Sequence, residues 1–189
     1  MLPGFHSPAA SFDQPFEMLS ACHDRVRRSL RLLQRLGPHL QQHGNDPAAR
    51  DAAADVLRYF DRAAPHHHED EERHVFPALL PGAEPRLAEA IRQLLADHRA
   101  MEGLWAQLRR VLQAVADARQ GPFDAEATQL VQRFLAIYEE HLRVEDEWVY
   151  PAAVSRFEPA ALRAMGEDMA QRRGATPAQG RRLSGDAPG

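Results

Sequence analysis

The chain has 189 residues, 44% apolar, with 27 acids against 23 cationic side chains, all of them arginine, and a formal net charge of -4. That length supports one domain with a real core rather than two, and the acid balance lacks the basic excess that nucleic-acid binding leaves. One cysteine, Cys22, excludes an internal disulfide and any thiolate zinc or iron-sulfur site built from this chain alone and fits a reducing cytoplasm, while no stretch nears the roughly 18 apolar residues of a membrane helix.

Residues 1–14, rich in Pro, Ser and Gly, read as an N-terminal arm. From Pro15 the apolar positions Leu19, Val26, Leu30 and Leu33 recur at helical steps, which predicts a first helix ending near Gly37 and Pro38. Asp46 then caps a second helix with Pro47 in its first turn, carrying Val56, Leu57, Phe60 and Val75 and stopping before Pro77; Pro65 predicts a kink within it. A third helix starts at about Pro85, and a fourth runs from about Asp124 to Tyr150, before Pro151. The stretch "SRFEPAALRAMGEDMA" suits a short helix, and residues 171–189 are too polar and too rich in Gly and Pro to repay ordering. Four long helices and no strand pattern predict an all-α, antiparallel up-down-up-down four-helix bundle over residues 15–157, followed by a short helix and disordered tail over 158–189.

The second helix contains "HHEDEERHVFP" and the fourth "HLRVEDEWVYP", which align without a gap. His67 falls on His141, Glu71 on Glu145, Val75 on Val149, Phe76 on Tyr150 and Pro77 on Pro151. The first and third helices align as well, His23 on His98 and Val26 on Met101, so the chain reads as a duplicated helix pair. Of the three adjacent histidines only His67 has a counterpart; His66 and His68 do not. Positions i and i+4 share a helix face, so His67 with Glu71 and His141 with Glu145 each aim an imidazole and a carboxylate inward, along stripes continued by Phe60, Ala64 and Val75 and by Phe134, Tyr138 and Val149. His23 and His98 lie on the apolar faces of their own helices, and Glu102, four after His98, is a further candidate.

Carboxylates buried together need protons, cations or metal to offset their charge. Imidazole with carboxylate and no thiolate suits iron or manganese, with zinc also open. Six or seven ligands on four helices are too many for one tetrahedral zinc and suit two bridged metals.

With His23 on the first helix, His67-x-x-x-Glu71 on the second, His98 on the third, His141-x-x-x-Glu145 on the fourth, and prolines closing the second and fourth, residues 15–155 resemble the hemerythrin-like, or HHE cation-binding, domain. The resemblance implies two non-haem iron ions, oxo- or hydroxo-bridged, ligated by one His of each helix and bridged by Glu71 and Glu145. Ligand number and spacing are also similar to bacterial di-iron proteins implicated in iron-sulfur cluster repair and nitric oxide stress. Oxygen-carrying hemerythrins have a second histidine where this chain has Glu102, and an Asp at a spacing of five where it has Glu145 at four followed by Asp146. A carboxylate in place of an imidazole makes iron more electron-rich. The expectation is therefore a cytoplasmic di-iron protein that binds or reacts with O2, NO or peroxide in redox stress or sensing, supplied by an unidentified electron donor. A non-catalytic iron-binding, sensing or storage module that signals to a partner is the alternative. Neither nucleic acid nor membrane is an expected partner.

Around these residues, Glu69, Asp70, Glu72, Asp146 and Glu147 read as solvated, and His6, His39, His43 and His74 as surface. Tyr138, one turn before His141, is placed either to donate a hydrogen bond to a bridging ligand or simply to pack. Cys22 reads as a small buried residue.

Overall fold

The structure, a computed structural model, describes residues 11–175 and has no strand among them. Helix α1 (Pro15–His43) precedes α2 (Pro47–Asp70), which passes through a π-helical turn, π1 (Glu71–Val75), into α3 (Phe76–Leu79). Helix α4 (Pro85–Ala116) is followed by α5 (Ala125–Val144), a second π turn, π2 (Glu145–Val149), then α6 (Tyr150–Val154) and α7 (Pro159–Arg172). The long helices pack α1 on α2, α2 on α4, α4 on α5 and α5 on α1, and α7 lies against α1. Asp46 and Asp124 start α2 and α5 by accepting the N–H groups of Ala49 and Ala127, each at 2.8 Å.

Proline positions depart from the sequence expectation. Helix α1 does not end at Gly37 and Pro38 but runs to His43, because Leu36 and Leu40 are buried on either side of the proline. Burying two leucines, at about 1.5–3 kcal/mol each, outweighs the roughly 3 kcal/mol of an interior proline. Helix α2 passes through Pro65 as one helix; the carbonyl that loses its partner there is that of Asp61, an exposed residue open to water. A further irregularity, a π turn, begins at Glu71. Pro77 and Pro151 do not stop their helices, which continue to Leu79 and Val154. Each proline is the second residue after a π turn, where the N–H of Phe76 bonds to the carbonyl of Glu71 and that of Tyr150 to the carbonyl of Glu145. The extra residue in the turn removes the strict four-residue ladder with which a proline ring collides.

The expected short helix is α7, and it reaches past residue 171, so the first residues of the expected tail are helical. Met165, Met169 and Ala170 are buried, and a Cβ on Gly166 would collide with the carbonyl oxygen of Phe12, so only glycine permits that approach. Residues 1–10 and 176–189, which hold most of the expected arm and tail, lie outside the described residues.

Two apolar clusters form the core. One joins residues from Val26 to Leu40, Ala49 to Ala64, Met101 to Val115 and Leu130 to Leu142. The other joins Leu19, Val75, Phe76, Leu79, Leu87, Ile91, Leu94, Val149, Tyr150, Ala153, Met165 and Met169. Four of the candidate ligands sit between them in sequence: His23 between Leu19 and Val26, His98 between Leu94 and Met101, Glu71 before Val75 and Glu145 before Val149. A polar layer is thus sealed between two dry ones.

Candidate metal centre

Six of the seven candidate residues converge in that layer. His23, His67, His98 and His141 are at most 1% exposed, and Glu71 and Glu145 are fully buried. Ligand atoms of His23, His67, Glu71 and Glu145 lie within 4.8 Å of one another, as do those of Glu71, His98, His141 and Glu145. The two groups share both carboxylates.

The atoms face each other in a regular way. The Nε2 atoms of His23 and His67 are 3.0 Å apart, and those of His98 and His141 are 3.1 Å apart. Glu71 directs Oε1 at His67 Nε2 and Oε2 at His98 Nε2, each at 3.5 Å. Glu145 directs Oε2 at His23 Nε2 at 3.2 Å and Oε1 at His141 Nε2 at 3.0 Å. Each carboxylate therefore spans both imidazole pairs.

Despite these distances, Glu71 Oε2 and both oxygens of Glu145 have no hydrogen-bond partner. An unpaired buried carboxylate oxygen is costly, and native interiors nearly always satisfy it. Ligand atoms drawn within 4.8 Å of one another, with three carboxylate oxygens left without hydrogen bonds, could hold a cation. The donor set of imidazole nitrogen and carboxylate oxygen fits iron, manganese or zinc.

Carboxylates behind the imidazoles hold them in place. His23 Nδ1 lies 2.7 Å from Asp146 Oδ1, and Asp146 is also held by Arg27. His98 Nδ1 lies 2.7 Å from Glu72 Oε1, and His141 Nδ1 lies 3.5 Å from Asp97 Oδ2. Such partners fix the tautomer and aim Nε2. Neither His67 Nδ1 nor His141 Nδ1 has a hydrogen-bond partner, and Asp97 stands only at ion-pair distance from the second. Tyr150 donates its hydroxyl proton to Glu71 Oε1, and its oxygen lies 3.0 Å from His23 Nε2.

Without metal, protons take the cation's place. Burial pulls the His23 imidazole down, but Asp146 and Glu145 outweigh it and raise the group from 6.5 to about 9. For His141, burial is likewise overcome by Glu145 and Asp97, giving about 10; His98 is also raised, Glu71 overcoming its burial. Glu145 falls to about 2, the two imidazoles outweighing its burial. Burial dominates at His67, which drops to about 3, and at His68, which drops well below 6.5.

Glu102 is not brought into the cluster. It is exposed, because the inward line of α4 advances from His98 by three to Met101 and then to Leu104. Asp70, expected to be solvated, is fully buried and paired with Arg172 at 2.5 Å and Arg173 at 2.6 Å. Glu72 and Asp146 back imidazoles rather than simply facing water, and His74 binds Asp168 of α7 at 2.7 Å. His68, set aside by the repeat, is 8% exposed and stacks on His98 with ring centroids 4.0 Å apart. Tyr138 packs on Phe60 and Phe134, and the hydroxyl that reaches the cluster is that of Tyr150.

The family model described as the hemerythrin HHE cation binding domain matches residues 14–153. An uncharacterized protein of Haemophilus influenzae is 32% identical over 164 residues, covering 87% of this chain and 92% of the relative. The family match spans every residue of the cluster and stops short of α7.

Proposed function

This chain belongs to the hemerythrin HHE cation-binding domain family, and from that premise we propose that its buried cluster holds two metal ions, as a non-haem di-iron site that binds or reacts with a small ligand such as O2, NO or peroxide. His23 and His67 would hold one ion, His98 and His141 the other, and Glu71 and Glu145 would bridge. Manganese or zinc fits the same donors. The reading takes the four long helices as an antiparallel up-down-up-down bundle, which the short links 44–46, 80–84 and 117–124 favour. It is carried by one observation: three carboxylate oxygens, buried and without hydrogen bonds, face four imidazole nitrogens.

Bound iron would supply a redox couple and an open position for the ligand. The chain supplies the rest. Asp146, Glu72 and Asp97 orient imidazoles. Tyr150, whose hydroxyl is pushed well above its ordinary pKa first by burial and then by Glu71, keeps its proton and donates it in a hydrogen bond to Glu71. The two apolar layers exclude bulk water.

A second reading, a non-catalytic iron-binding, sensing or storage module that signals to a partner, draws on α7, whose Arg172 and Arg173 grip Asp70 next to Glu71. Metal analysis of protein from iron-sufficient cells, with optical spectra before and after reduction and after NO or azide, tests the pair. Two metal ions per chain with a ligand-responsive spectrum support the first reading. Two ions with no ligand response, but α7 cut by protease at a metal-dependent rate, support the second. A folded chain without metal defeats both.

A further inference from the structure

A groove of about 720 Å3 runs between α1 and α2, outside the metal cluster. Its rim carries Arg25, Arg28, Arg31, Arg35 and Arg58 against a single acid, Asp55, and its floor is formed by the half-buried Leu32, Tyr59 and Ala63. Arg58 on α2 is held by Asp55, and Arg27 on α1 by Asp146. Among the described residues, Arg25, Arg28, Arg31 and Arg35 make no ion pair. In a chain whose net charge is -4, five arginines around one groove are a concentrated exception. The four on α1 recur at steps of three, three and four, so they form one stripe about 15 Å long at 1.5 Å per residue.

We propose that this groove docks an acidic amphipathic helix of a partner protein, with carboxylates at the matching three- and four-residue spacing against the α1 arginines and apolar side chains on Leu32, Tyr59 and Ala63. A guanidinium stripe with an apolar floor matches such a helix on both its faces. A phosphate backbone or an anionic membrane spreads its charge more widely and would meet the acidic excess that the rest of the chain carries. The groove also touches the metal layer: the Tyr59 hydroxyl donates to the carbonyl of Cys22 at 3.2 Å, and Cys22 precedes His23. A helix seated on Tyr59 is one hydrogen bond from the backbone that carries a candidate ligand. The docking itself stands whether or not the cluster holds metal.

Fluorescence anisotropy with a labelled peptide of about 14 residues, Glu at the matching spacing and Leu on the opposite face, tests this on the full chain in metal-loaded and metal-free forms. Expected is saturable, salt-weakened binding in both forms, reduced at least about tenfold in the R28E/R31E/R35E triple variant and unchanged when exposed Arg99, Arg110 and Arg133 are reversed instead. Circular dichroism melts of both triples show that neither loss comes from unfolding, since all six side chains are exposed. Equal peptide affinity for the two triples would overturn the proposal. So would tighter binding of a single-stranded oligonucleotide or a phosphatidylserine vesicle than of the peptide.

Discussion

The first helical hairpin, α1 with α2 and π1, and the second, α4 with α5 and π2, give the cluster the same contribution: one imidazole from the leading helix, and one imidazole with one carboxylate from the returning helix. They part at four positions around it. Cys22 stands where the second hairpin has Asp97, so His141 has a carboxylate behind it and His67 has none. Asp70 stands opposite Val144, His68 opposite Leu142 and Phe76 opposite Tyr150. Symmetry is kept in the groups that would bind metal and in the acids Asp146 and Glu72 behind His23 and His98, and lost at these four other neighbours. Charge balance explains the first half: two carboxylates and four imidazoles must meet the same cations from both sides. Nothing imposes that constraint on those four neighbours, where orientation, protonation and docking of α7 are free to differ.

Removing a shared carboxylate tests the symmetric part and carries the largest effect. Glu71→Ala and Glu145→Ala each take a ligand from both metal positions, so each should cut metal affinity more than about 100-fold, beyond what loss of an outer partner costs. His67→Ala should behave similarly at one position, and His66→Ala, which changes a part-exposed side chain, should leave metal content and melting temperature near wild type. Metal analysis and thermal melts separate these outcomes; equal small effects from all four variants would sink the assignment.

The asymmetric clamp comes next. Asp70 is fully buried, and its charge is met by Arg172 and Arg173, while Arg172 also reaches Glu69 and Asp168. Arg172→Ala with Arg173→Ala strands a buried carboxylate, which costs on the order of 3–5 kcal/mol. The double variant should melt lower and lose protease protection of α7. Adding Asp70→Val, which copies the second hairpin toward Val144, should restore most of the melting temperature, because the stranded charge is then gone.

Protonation offers a test of the metal-free protein. His23 and His141 are raised to about 9 and about 10, so the stability they give is complete below 6.5 and is lost as pH rises toward those values. His67 and His68 are depressed, so the unfolded chain takes up protons below 6.5 that the folded chain refuses, and stability falls on that side too. The melting temperature of metal-free protein should therefore peak near pH 6.5. Metal-loaded protein should show a flatter profile above that pH, because metal takes the place of the protons on His23 and His141. A metal-free profile that rises steadily from pH 6.5 to 9 would contradict the protonated cluster.

These contrasts also mark what the sequence made legible. The helix starts at Asp46 and Asp124 and the six converging residues were readable, because capping chemistry is local and the i to i+4 pairs occur twice. Tyr150 was not, since α-helical spacing points Val149 inward and turns its neighbour aside; the π turn at Glu145 brings both in. Asp70 was opaque for another reason: its partners lie about a hundred residues away on a helix that no repeat announces. Glu102 shows the limit of periodicity itself. A 3.6-residue repeat allows the step after His98 to fall at three or at four, and packing of Met101 took the first.

The smallest expected effect is also the finest probe of the comparison. Tyr150→Phe copies the first hairpin's Phe76 into the second, removing the one hydroxyl that donates to Glu71 while keeping the ring that stacks on His23 at 5.0 Å. A hydrogen bond to a charged group contributes about 1.5–3 kcal/mol, and part of that loss is masked once metal neutralises the carboxylate. Metal affinity should therefore hold or rise slightly, with the melting temperature of the metal-free form dropping more than that of the loaded form. If the loaded form instead loses more, Tyr150 acts on the metal side directly rather than by steadying Glu71, and the difference between the two hairpins extends to the ligands themselves.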